Sequence, residues 1–115
     1  MILVVRIIKE RLSLDKPSNV HIAKNIKVLE WLKAEIIEHV SALFKGLYHG
    51  KESHIVDSLA SLLIAIYVLA RRVGIPFHKI DKAVIDKLHE HKAQGHEIEE
   101  WYGDLTILEQ YIKNK

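Results

Sequence analysis

Apolar residues recur at helical spacing along most of the chain. Leu29, Leu32, Ile36, Val40, Leu43 and Leu47 fall three or four residues apart, with Val28, Trp31, Ile37 and Phe44 widening the stripe. That spacing predicts a first helix over about 20–47, ended by Gly46 and Gly50. A second helix is expected over about 52–73, with Ile55, Val56, Leu59, Leu62, Leu63, Ile66, Leu69 and Val73 as core candidates. Ile64, Tyr67 and Val68 cover its remaining faces, so it is apolar nearly all round and should be buried nearly all round. In so small a protein, a second chain is expected to supply part of that cover. Gly74 stops the second helix, and Pro76 can occupy the first position of a third. The third helix carries Ile80, Val84 and Leu88, with Ala83, and ends near Gly95. A short acidic segment, 97–101, leads to Gly103, and Asp104 is a candidate cap for a last helix bearing Leu105, Leu108 and Ile112. The first 18 residues differ. Residues 1–8 are apolar and β-branched without helical spacing, Pro17 marks a loop, and Ser18 or Asn19 can cap the first helix. The expected architecture is therefore an N-terminal arm (1–18) and one all-α domain (19–115), a bundle of about four helices completed by dimerisation.

Composition narrows the classes. At 115 residues the chain suits one core. With 49% hydrophobic and 28% charged residues it is an ordinary globular chain, not a disordered one. It contains no cysteine, which excludes disulfides, thiolate metal sites and a thiol nucleophile, and fits a cytoplasmic location. The formal net charge of +2 gives no basic footprint for direct nucleic-acid binding. The apolar run 59–70, broken by Ser61, is too short to span about 30 Å of hydrocarbon, so no membrane association is expected.

Four groups of residues could carry chemistry. Glu35 and Glu38 are three apart on the first helix and point in similar directions, with His39 close to Glu35. Two acids on a mostly apolar helix invite a hard cation such as Mg²⁺, although a solvent-facing acidic pair has the same spacing. Asp57 and Ser61 are four apart on the second helix, and Ser58 shares their stripe. Were the two helices antiparallel, that stripe could face Glu35 and Glu38 as a metal site; alternatively, Asp57 serves the helix dipole and the serines merely pack. His89, His91 and His96 lack a chelating spacing and suit a surface. Lys79, Lys82, Lys87 and Lys92, with Arg71 and Arg72, could reach phosphates or form a solvated face.

The blocks 29–38 (LEWLKAEIIE), 43–46 (LFKG), 67–75 (YVLARRVGI) and 101–105 (WYGDL), in that order, resemble the short MazG-like family over residues 24–112. This is a branch of the all-α nucleoside triphosphate pyrophosphohydrolases. The resemblance implies Mg²⁺-dependent conversion of a nucleoside triphosphate to monophosphate and pyrophosphate, with Mn²⁺ as a substitute metal. It implies metal binding and catalysis by Glu35 and Glu38, which match the first carboxylate motif. The second motif departs from the family: Ser61 stands where an aspartate is usual and Ser58 where a glutamate is usual, leaving Asp57 as a replacement ligand. Lys87 matches a typical lysine, His91 stands in place of a common asparagine, and both, with Arg72, are the implied substrate contacts. The implied partners are a nucleotide and further copies of the chain, as a homodimer or higher homo-oligomer. The loss of two acids leaves an alternative open, a catalytically inactive MazG-like module that binds nucleotide or a protein partner.

Overall fold

The computed structural model describes residues 19–115, all helices and turns, with no strand among them. The expected arm, with its Pro17 loop and the Ser18 cap, lies outside the described residues. Five helices follow one another: α1 (Asn19–His49), α2 (Glu52–Arg72), α3 (Phe77–Ala93), α4 (Glu97–Tyr102) and α5 (Asp104–Lys113). The fold class is all-α, as the periodicity predicts. The additional element is α4, a six-residue helix formed by what reads in the sequence as a short acidic segment. The chain divides after Ile75 into two compact units.

In the first unit, α1 and α2 form an antiparallel hairpin. The 31 residues of α1 make a rod of about 46 Å. It ends in a Schellman turn: the Lys51 N–H donates to the Gly46 carbonyl (3.1 Å), and the Gly50 N–H to the Leu47 carbonyl (3.3 Å). Gly50 sits at φ +66°, a conformation that glycine adopts without the steric cost of a Cβ. The two helices approach closely at the turn. A Cβ on Gly46 would lie 3.3 Å from Ile55 Cγ1, so this glycine brings α2 against α1.

The buried side chains of the hairpin are Leu29 and Leu32 on α1, with Ala65, Ala70 and Val73 from α2 and its C-cap. Ser58 is also buried, at 5% exposure, so the inner face of α2 is built largely from small residues. Ile36, Val40, Leu43, Ile55, Leu62 and Leu69 are half-buried around them. Several residues expected in the core are exposed in the single chain, namely Leu47 on α1 and Val56, Leu59, Leu63 and Ile66 on α2. A hairpin has only one inner seam, and α2 is apolar on more faces than that seam can cover. Among the described residues, α2 is also the one helix long and apolar enough to cross a membrane by length and composition. The 12-residue apolar run is thus part of a longer 21-residue helix.

The second unit packs α5 on α3 and on α4. Pro76 is the N-cap of α3 rather than its first residue, and Gly103, rather than Asp104, caps α5. Leu88 is buried, while Ile80, Val84, Ile85, Leu105 and Ile112 are half-buried. The expected stripe of α5 departs at one position: Leu108 is exposed, and the buried residue is Glu109, at 8% exposure. The cause is ionic. Glu109 Oε2 lies 3.4 Å from His89 Nε2 and 3.6 Å from Lys92 Nζ, both on α3, and Oε1 is 3.0 Å from Lys113 Nζ. The Lys113 and Lys92 ammonium groups and the His89 ring around one carboxylate offset part of the cost of withdrawing it from water, while Oε2 itself accepts no hydrogen bond.

Candidate functional site

Glu35 and His39 are one turn apart on the flank of the α1 stripe. Glu35 Oε2 lies 3.2 Å from His39 Nε2, and both side chains are about three-quarters buried. They open onto a cleft of about 200 Å³ between the two helices. Trp31, Leu32, Glu35 and His39 line it from α1, and Ser61, Ile64, Ala65 and Val68 from α2. The antiparallel register therefore sets Ser61 across the cleft from Glu35. Position 61 is where the family resemblance places an aspartate.

The other expected residues take other places. Glu38 is exposed, one turn from Glu35 and further round α1. Asp57 is exposed too, in a separate shallow depression with Glu52, Ser53, Val56 and Ala60. Ser58 is enclosed in the hairpin, where a glutamate would have to be buried. Arg72 is exposed in the last turn of α2. In the second unit, Lys87 and His91 are exposed one turn apart on α3, and the His91 ring meets His96 edge-on at 5.5 Å. His96 is occupied locally: its Nδ1 accepts the Ile98 N–H (3.2 Å) and so caps α4. Among the described residues, no group of three His, Asp or Glu gathers as a ready-made metal centre. Glu35 and Ser61 are brought together; Glu35, Glu38 and Asp57 are not gathered into one such group.

These residues fit a hard cation only as a partial shell. Mg²⁺ in nucleotide sites is commonly held by one or two carboxylates, with waters and phosphate oxygens completing the octahedron. Among the residues lining the cleft Glu35 is the carboxylate, and Glu38 lies outside that lining. His39 adds a nitrogen donor. Its i, i+4 spacing to Glu35 is visible in the sequence, but its place in the cleft is not.

The second unit holds two acids whose ionised forms are stabilised. The Lys113 ammonium, helped by His89 and Lys92, holds the Glu109 carboxyl below its ordinary range against the opposing effect of burial. Glu99 is also lowered, chiefly by the Thr106 hydroxyl and further by the Thr106 N–H, which donates to it at 3.1 Å. This second bond satisfies an otherwise open N–H in the first turn of α5. Both acids are tied to helix packing in this unit.

The chain belongs to the MazG-like family, whose model matches residues 22–105, from α1 into the first turn of α5. No curated protein and no solved structure matches the chain.

Proposed function

We propose that this chain is a divalent-metal-dependent nucleoside triphosphate pyrophosphohydrolase, cleaving between the α- and β-phosphoryl groups to give a monophosphate and pyrophosphate. The observation that carries the reading is Glu35, held by His39 in a cleft opposite the position of the family's second carboxylate motif. Glu35 and Glu38 would hold Mg²⁺, or Mn²⁺ in its place, with Asp57 as a third acid from outside the cleft. The bound metal would supply charge neutralisation for the triphosphate and a more acidic water. His39 orients the Glu35 carboxylate. Arg72, in the last turn of α2, is the proposed phosphate contact of this unit, as a planar fork.

The test is pyrophosphate release from a panel of ribo-, deoxyribo- and modified nucleoside triphosphates, with Mg²⁺ or Mn²⁺ and with chelator. Glu35→Gln is expected to lower turnover at least about 100-fold, Glu38→Gln less, and Asp57→Asn least. An unchanged rate in Glu35→Gln would contradict the assignment. A second reading is favoured by the buried Ser58 and by Ser61, which leave the second motif without its acids. It makes the chain a non-catalytic module, and predicts nucleotide binding without pyrophosphate release.

The reading includes a homodimer in the cytoplasm with no direct nucleic-acid contact. Ile37, Phe44 and Tyr48 on α1, and Leu59, Leu63 and Ile66 on α2, are exposed and recur at helical spacing. A second hairpin would cover such faces and complete a four-helix bundle. Light scattering on the purified chain would show a dimer mass; a monomer at all concentrations would contradict it.

A further inference from the structure

We propose that Glu35 and His39 form a two-toothed clamp for a divalent transition cation of the Mn²⁺, Co²⁺ and Zn²⁺ class, with His39 Nε2 as a direct ligand. The inference builds on the reading of this cleft as a metal site and names the kind of metal it selects. Its first support is distance. Metal–nitrogen and metal–oxygen bonds of about 2.0–2.2 Å place two ligands of one ion roughly 2.9–3.5 Å apart, for octahedral to tetrahedral angles. Glu35 Oε2 and His39 Nε2 are 3.2 Å apart. The two donor atoms already stand at the separation one ion requires, and rotation of the two side chains would aim them at it.

The second support is the backbone. The i, i+4 spacing on α1 fixes both side chains on one face, so little conformational freedom is lost on binding. Both are about three-quarters buried, which already restricts them. The third is the charge around them. Lys33, two residues from Glu35, is paired with Glu30 at 2.7 Å. The opposite wall of the cleft is Ser61 with Ile64, Ala65 and Val68, which carry no charge. A cation would therefore meet one carboxylate, one imidazole, one hydroxyl and apolar surface.

Donor chemistry then decides the metal. Mg²⁺ prefers oxygen ligands and gives up water reluctantly, whereas imidazole nitrogen suits the later first-row divalent ions. No third His, Asp or Glu joins the pair among the described residues, so the remaining positions stay open to water or to phosphate oxygens. An open coordination sphere is what a reactive site requires and a closed structural site lacks.

The experiment uses the full chain, metal-stripped, titrated with Co²⁺ and followed by its visible absorption, with calorimetric titration of Mg²⁺ in parallel. Saturable Co²⁺ binding is expected, weakened at least about tenfold in both His39→Ala and His39→Gln, and by a larger factor than any accompanying loss of Mg²⁺ binding. Circular dichroism checks that each variant keeps its helices. Co²⁺ binding equal in wild type and both variants, or absent from wild type, would overturn the clamp. Pyrophosphate release with Mg²⁺ that is indifferent to His39 and unaffected by Co²⁺ would leave the hydrolase reading standing and remove the clamp. His39-dependent Co²⁺ binding without release in any metal would keep the clamp and remove the hydrolase.

Discussion

In the hairpin unit the buried side chains are Leu29, Leu32, Ala65, Ala70 and Val73 with one serine, while α5 of the C-terminal unit turns a carboxylate, Glu109, towards α3. The first unit rests on area removed from water, which is insensitive to pH and weakly sensitive to salt. The second rests substantially on ion pairs and caps, which titrate and are screened. One ionisable pair of the hairpin, Glu35 with His39, sits on the flank of the apolar seam rather than within it. It can therefore be used for binding without being needed for the fold.

Leu32→Ala should separate the two units most clearly. Leu32 is 2% exposed, and its truncation should destabilise the hairpin by about 2–5 kcal/mol, read by urea unfolding. Hydrogen exchange should localise the loss to α1 and α2. Equal loss in α3 and α5 would show that the units do not behave separately.

Acid should act on the other unit. The folded-state pKa of Glu109 is depressed, so its contribution is present above the ordinary carboxylate value and is lost as pH falls through the lowered one. Exchange protection of α5 should therefore fall in acid before that of the hairpin, and Glu109→Gln should flatten this pH dependence. Glu99, lowered by Thr106, acts with the same sign. Protection of α5 that is independent of pH would contradict an ionic junction. Gly50→Ala is a smaller, purely conformational test. A Cβ there meets nothing within 4 Å, so the cost is that of φ +66° alone, about 1–2 kcal/mol by thermal unfolding. Asp57→Asn, at an exposed position, should change stability by no more than about 0.5 kcal/mol.

The hairpin was the most legible part of the sequence. Its stripes run for several turns, so periodicity places α1 within two residues at each end and α2 within one. Short elements offer less: α4 has six residues, under two turns, and gives no period to count. The inward turn of Glu109 was illegible because its reason lies in His89 and Lys92, seventeen and more residues away on another helix. Within the site, the proximity of Glu35 and His39 follows from spacing alone. The placing of Ser61 across from Glu35 needs the hairpin register, which the close approach of Gly46 and Ile55 helps to fix. The exposure of Glu38 and Asp57 depends on how each helix is rotated against its partner, and similar E-x-x-E spacing is compatible with either outcome.

The most direct measurement is a residue-resolved NMR titration of the full chain with a non-hydrolysable nucleoside triphosphate and Mg²⁺. Amide and side-chain shifts centred on Glu35, His39 and Ser61 are the predicted result. Shifts confined to the C-terminal unit, with the hairpin cleft unmoved at saturation, would contradict the placement of the functional centre in the hairpin.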